Sequence, residues 1–489
     1  MALDSSSRRT VLEVDLASAQ RFPSNLIGVN CNILNQPFPY DSDEFRKLYE
    51  DAGRPFFRYP GGTVANYLNH GTGFLDANRA GNRRAGYERK NERVTRMTGG
   101  AGYVPEKFIE VVRGMELPFS LVLNMCTMSI DENESFLRKF AASGIQITHI
   151  ELANEVFFAE YSTFFHDASE YLRQARELSR VCRSLFPHVK IGVVIPNTLY
   201  RNKSFPDRAD KPGGDDDRQI RWIRQLARHP GFYDAVIVHC YSTIGVENSK
   251  SAADLPSVEQ ALKRGMSHAD AQFGKLMRFI EKHFQKKEVW ITEYGHSEIK
   301  NDALKEIWSF ESTFVSALHN VILLLKMFTW PSITMAHWHS MSKMAQGGGR
   351  HKEPTVSHAV YGFIATTLRE FQLCANLVVQ ECDYYEGIGE HCGRHSALEA
   401  GFFAREDSTS APAYCVVVVN KSARQQRLEG IIDKDRRNFI ISDVEVFSSC
   451  EPGLSKDSKC QISHNTDLGN LILDPYSISK IFLERVPNY

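Results

Sequence analysis

Short apolar runs recur through the first three quarters of the chain, and most of them stop abruptly at a polar or charged group. Eight can be followed in order, at residues 26–30, 55–59, 119–124, 149–152, 189–195, 235–241, 289–292 and 333–338. Runs apolar on both faces and this short read as buried strands of the parallel type. The segments between them change period. Residues 169–186 set Tyr171, Leu172, Ala175, Leu178, Val181 and Cys182 on one helical stripe, and 311–327 reads the same way. Strand then helix, eight times over, predicts an α/β fold with a (β/α)8 TIM barrel over residues 21–365. From about Gln372 the pattern turns to short alternating strands, such as 414–420 and 471–473, separated by turn residues. These predict an accessory C-terminal β-sandwich domain over 366–489. Thr10 to Leu16 also alternate, but too far ahead of the next run to begin the barrel, so residues 1–20 are read as an N-terminal strand of the sandwich.

Composition narrows the function classes. A chain of 489 residues is long for one core and fits a large barrel plus an accessory unit. Its net charge of −1 offers no general attraction to nucleic acid or an anionic membrane. The first residues lack the apolar core of a secretory signal, and the longest apolar run, 321–325, is too short to span a bilayer. A cytoplasmic protein is expected, or a secreted one had a signal been removed. Ten cysteines are sparse in this length, and Cys31, Cys126 and Cys240 lie inside apolar runs without metal-ligand spacing, as reduced core thiols do.

The chemistry lies where the runs end. His149-Ile150-Glu151-Leu152 opens into Ala153-Asn154-Glu155, and Val289-Trp290-Ile291-Thr292 stops at Glu293-Tyr294-Gly295. Strand ends of one barrel face a common mouth, so two such glutamates can meet there. Glycosidic cleavage needs one carboxylic acid to protonate the leaving oxygen and one carboxylate facing the anomeric carbon. Repulsion between the two would keep one protonated while the other stays ionised. Asn154 either holds the hydroxyl beside the anomeric centre or closes its own loop. Arg58 and Tyr241, at the ends of the second and sixth runs, can each donate to Glu293. Gly61 and Gly62 make a tight turn after Arg58 that lets a ligand approach the backbone. Trp338 is either a platform for a sugar ring or part of the core. His239, His337 and His339 raise a metal site, which is set aside because no His-x-His follows the first strand. Gly347-Gly348-Gly349 neither follows a strand directly nor opens a clear helix, so it is not read as a phosphate loop.

Asn154-Glu155 after the fourth strand and Glu293 after the seventh resemble the signature of clan A glycoside hydrolases. Phe57-Arg58-Tyr59-Pro60-Gly61-Gly62, the stretch from Asp234 through His239-Cys240-Tyr241, and Thr292-Glu293-Tyr294-Gly295 are most similar to family 51 α-L-arabinofuranosidases, with heparanase-like family 79 enzymes more distant. The resemblance implies a retaining hydrolase with Glu155 as acid/base and Glu293 as nucleophile. The candidate substrate contacts read from the residues are Asn154, Arg58, His239, Tyr241, Trp338, Gly61 and Gly62. Where family 51 usually carries a glutamate that grips arabinofuranose, this chain has Asn30-Cys31-Asn32. The competing class is a non-catalytic carbohydrate-binding barrel. Residues 78–102, a long connection, hold Arg79, Arg83, Arg84, Arg89, Lys90, Arg93 and Arg96 against Glu88 and Glu92. They form either a solvated basic face or a cationic wall for an acidic glycan. The expected partner is therefore a carbohydrate, neutral or anionic, with no nucleic acid, membrane, metal or cofactor. Self-association as a homo-oligomer is left open.

Overall fold

Eight parallel strands close into a barrel, each followed by at least one helix. In the computed structural model, which describes residues 9–31, 33, 38–197, 215–242, 244, 249–296, 313–346, 353–407, 412–449, 460–464 and 471–485, strand β1 (Arg9–Arg21) precedes the barrel. The barrel strands are β2 (Gly28–Asn30), β3 (Phe56–Tyr59), β4 (Phe119–Leu123), β5 (His149–Leu152), β6 (Lys190–Val194), β7 (Ala235–Ser242), β8 (Glu288–His296) and β9 (Ile333–Trp338), with β9 closing on β2. The helices are α1 (Asp43–Asp51), α2 (Arg84–Thr98), α3 (Pro105–Met115), α4 (Ile130–Ala142), α5 (Ala168–Leu185), α6 (Asp215–Arg228), α7 (Val258–His283), α8 (Phe314–Met327) and α9 (Val356–Glu370). Asn32, residues 211–214, residues 311–312 and the Gly347-Gly348-Gly349 stretch lie outside the described residues. No described helix is long and apolar enough to cross a membrane.

Local chemistry accounts for these elements. All five residues of β4 are buried, as an apolar run must be when helices cover one face and barrel interior the other. The α5 stripe buries Tyr171, Leu172, Ala175, Leu178 and Cys182. Ser129 and Glu132 form a reciprocal capping box at the start of α4, and Ser257 and Gln260 do so at α7. One boundary differs from the sequence reading. The seventh run was expected to stop before Glu293, but β8 continues to His296, because β7 extends alongside it and supplies partners through Ser242. Glu293 thus sits within a strand, level with His239.

The accessory domain is one nine-stranded sheet wrapped around its own core. Its strands are β10 (Leu373–Gln380), β11 (Leu398–Ala404), β12 (Tyr414–Asn420), β13 (Gln426–Asp433), β14 (Phe439–Ser449), β15 (Cys460–His464), β16 (Leu471–Leu473) and β17 (Ser477–Arg485), together with β1. β1 lies inside the sheet, antiparallel to β10 and parallel to β13. Its Leu12 and Val14 enter the sandwich core with Phe402, Val416, Val418, Ile481 and Leu483. A buried ionic cluster joins the two units. Asp270 of α7 accepts from Lys326 of α8 at 2.7 Å and from Lys421, just past β12, at 2.9 Å, while Glu399 of β11 takes both lysines at 2.7 and 3.2 Å. Burial would raise the Asp270 pKa, but the two lysines outweigh it and hold the carboxyl well below its ordinary value.

Candidate active site

The centre of the barrel mouth is an arginine held through all three of its guanidinium nitrogens. Arg58, on β3, is fully buried. Its Nε and Nη2 fork onto Glu151 at 3.0 and 2.9 Å, its Nη1 reaches Glu293 at 2.6 Å and Asn30 Oδ1 at 3.3 Å, and its Nη2 also reaches Asn154 Oδ1 at 2.9 Å. Five donors in a rigid plane suit this set of acceptors, where lysine would not. One positive charge cannot balance two carboxylates. The remainder falls to His239 on β7, whose Nδ1 lies 2.8 Å from Glu155 Oε1 and 3.5 Å from Glu293 Oε2, with Nε2 3.2 Å from Thr292 Oγ1. Burial would lower the His239 pKa, but the Glu293 and Glu155 carboxylates outweigh it and hold the imidazole above its ordinary value.

Glu293 is the more constrained of the two glutamates. Tyr241 donates its phenol to Glu293 Oε2. Burial would raise the Glu293 pKa, yet His239, Arg58 and His339, with the tyrosine bond, bring it down to about 2. It is ionised throughout the neutral range. Glu155 is less enclosed, its side chain 24% exposed against 7% for Glu293. The backbone delivering it is strained. Ala153 and Glu155 both adopt left-handed φ, 69° and 50°, which costs an L-residue roughly 1–2 kcal/mol each. The neighbours hold this turn in place. Asn66 receives Asn154 N–H at 2.9 Å and donates to its carbonyl at 2.6 Å, and the Tyr171 hydroxyl donates to Leu152 O at 2.8 Å. Because Asn154 Oδ1 is taken by Arg58, its Nδ2 is turned away, buried and without a hydrogen-bond partner among the described residues.

Arg58, Asn154, Glu155, His239, Tyr241 and Glu293 are thus brought together, and Trp338 is not. Trp338 was read as a sugar platform or a core residue. It is 2% exposed and packs outward against Tyr294 and, on α9, Tyr361, with ring centroids 6.2 and 5.2 Å away, because β9 turns His337 inward and its neighbour out. His339 instead lies near the site, its ring 5.5 Å from that of Tyr241. Gly61 and Gly62 take left-handed φ of 71° and 64°. The close approach that Gly61 allows is not to a ligand, since a Cβ there would fall 2.3 Å from both Asn30 Oδ1 and Cys31 O. The turn therefore presses the ends of β2 and β3 together. His337 stacks on Phe56 below the mouth, and among the described residues no three His, Cys, Asp or Glu converge as metal ligands do.

Glu151, Asn66 and Thr292, which hold Arg58, the Asn154 backbone and His239, were not among the site residues that the sequence predicts. Only Glu151 left a signal, as a charged residue inside a run with buried neighbours, which requires a partner. The basic connection after β3 folds as α2. There Arg83 pairs with Glu160, Arg84 with Glu88 at 2.9 Å, and Arg79, whose Nη1 reaches Thr127 O at 3.0 Å, lies over Phe164.

No family model and no curated protein matches the sequence. Solved structures match in shape: the GH51 arabinofuranosidase from Xanthomonas axonopodis pv. citri superposes with a TM-score of 0.68 over 98% of this chain and 100% of its own, at 13% identity. The fold resembles that of family 51 arabinofuranosidases. A family 51 alpha-L-arabinofuranosidase from Bifidobacterium longum gives 0.70 at 12% identity, again over 98% and 100% of the two chains. A family 44 xyloglucanase from Paenibacillus polymyxa gives 0.57 at 12% over the same shares. At such identities the likeness carries the family 51-like architecture, and the chemistry rests on the side chains above.

Proposed function

We propose that the chain is a retaining glycoside hydrolase of an oligo- or polysaccharide, with Glu293 as nucleophile and Glu155 as acid/base. One observation carries the reading: both carboxylates reach the same nitrogen of His239, at 2.8 and 3.5 Å. Two oxygens touching one atom cannot stand further apart than those two distances laid end to end. That bound, for one oxygen of each, lies at the lower edge of the roughly 6.5–9.5 Å by which inverting enzymes separate their carboxyl groups to seat a water, and so supports the closer, retaining spacing. Glu293, ionised and aimed by Arg58 and Tyr241, attacks the anomeric carbon. Glu155 gives a proton to the leaving oxygen and, in the second step, takes one from the incoming water. The unpartnered Asn154 Nδ2 supports a role as donor to the hydroxyl beside the anomeric centre.

For the substrate, the neighbours in fold include arabinofuranosidases, and an arabinofuranoside is one candidate. An acidic glycan is the other. It is favoured by Arg89 and Arg96, exposed on a helix whose start Arg83 ties to Glu160 just past Glu155. A non-catalytic carbohydrate-binding barrel would bind glycans and turn over none of a broad panel of aryl glycosides and polysaccharides.

Product anomers followed by NMR are expected to keep the configuration of the substrate, and an inverted first product would end the proposal. Glu155→Ala is expected to keep slow turnover of substrates with activated leaving groups and to yield a glycosyl azide of retained configuration when azide is added. If Glu293→Ala gives that azide instead, the roles are exchanged.

The pH dependence should carry the titration of His239. The His239 imidazole lies 2.8 Å from Glu155, so a change in its charge is felt at the acid/base. With its pKa raised, His239 is protonated below that value and loses its charge as pH rises through it. In His239→Gln that titrating charge is absent. The step in kcat/KM that follows loss of the imidazole charge is then expected to vanish from the pH profile; an unchanged profile would show that His239 does not take part.

A further inference from the structure

The side of the barrel holds a second concentration of charge that the active site does not use. Arg173, Arg176 and Arg180 follow the i, i+3, i+7 spacing of one face of α5. With His229 just past α6, they line a groove of about 370 Å³ in which Glu177 is the one acid. Among the described residues none of the three arginines is in an ion pair, and on α6 the exposed Arg221, Arg224 and Arg228 add to the same sign. In a chain whose net charge is −1 this local excess is not a consequence of composition. The groove is also firmly built. Arg176 lies over the Phe232 ring at 5.7 Å, and Ser179 Oγ donates to Phe232 O at 2.8 Å, fixing the 3-10 turn Pro230–Phe232 against the helix.

We infer that this groove is a docking surface for an acidic polysaccharide, a chain carrying carboxylates or sulfate esters. Guanidinium groups match both anions bidentately, and like charges held on one helical face are relieved when a polyanion covers them. Single-stranded nucleic acid fits less well, since such sites add aromatic faces for base stacking, and Phe232 is half-buried under Arg176. Ser169, at the first turn of α5, lines one end of the groove on the same rim of the barrel as Glu155. A polymer held there runs down from the mouth, outside the subsites. Only the carbohydrate nature of the partner rests on the reading as a glycoside hydrolase; the charge does not.

The test uses the full chain with polygalacturonate and dextran sulfate as probes, unsubstituted dextran as the neutral control and single-stranded DNA as the other polyanion. Arg173 and Arg180 are exposed, so Arg173→Glu with Arg180→Glu leaves packing intact, and turnover of a small aryl glycoside is expected to be unchanged. Affinity for the two acidic chains at low salt should fall about tenfold or more, while Arg173→Lys with Arg180→Lys stays near wild type. The same reversal at Arg89 and Arg96 on α2 should cost less. Unchanged affinity, equal losses from both reversals, or tighter wild-type binding of the DNA would each overturn the proposal. Loss of acidic-chain binding in a protein that hydrolyses no aryl glycoside would uphold the groove and reject the enzyme.

Discussion

Glu293→Gln is expected to lower kcat on an aryl glycoside by about 10⁴-fold or more while leaving the folded state in place. The substitution keeps the shape of the side chain and removes its charge, so the covalent step has no nucleophile. The fold tolerates the change because Arg58 remains forked onto Glu151, and the buried centre keeps one cation against one anion. His239, relieved of one of its two carboxylates, should titrate at a lower pH than in the wild type, which histidine NMR can follow. Rate, thermal midpoint and imidazole titration together separate a missing nucleophile from a damaged site. Residual turnover within about tenfold of wild type would remove Glu293 from the reaction.

The second large effect is on stability. Arg58→Met strands Glu151, fully buried, and Glu293 without their shared cation. Removing one partner of a buried ionic set costs about 3–5 kcal/mol, because the remaining charge cannot reach water. A marked fall in the unfolding temperature is expected, with activity lost as well. Arg58→Met combined with Glu151→Gln removes charge in a pair and should recover much of the stability, since a neutral amide is far cheaper to bury. Activity should not return, because Glu293 still lacks the Nη1 donor that aims it. If the single variant unfolds within a degree or two of wild type, the buried arginine is not holding the barrel mouth.

What was legible beforehand follows from where information is local. A polar group at the end of an apolar run marks a strand end, so Arg58, Asn154, Glu155, Tyr241 and Glu293 could be named from spacing alone. Glu151 stood in plain view, but its weight depends on Arg58 facing it across a closed barrel, and closure is not written in either run. Trp338 was undecided for a different reason. The run 333–338 is apolar on both faces, so alternation does not reveal which neighbour turns inward. Asn66 sits in a short 3-10 turn with no periodicity to mark it. Nor did the left-handed backbone at Ala153 and Glu155 announce itself, since that conformation usually calls for glycine or asparagine.

The strand β1 has a consequence for how the molecule is made. It leaves the ribosome before the barrel, yet β10 begins only at Leu373 and β13 at Gln426. At roughly 5–20 residues per second, the nascent β1 waits about 20–80 seconds for a neighbour. Throughout that interval Leu12 and Val14 sit on an unpaired edge, the kind of template on which chains join one another. Completing the sandwich then threads the earliest segment between two of the latest, tying both ends of the barrel into one sheet. Trimming β1 therefore splits that sheet, and the two strands β13 and β16 lose the strand that joins them to β10.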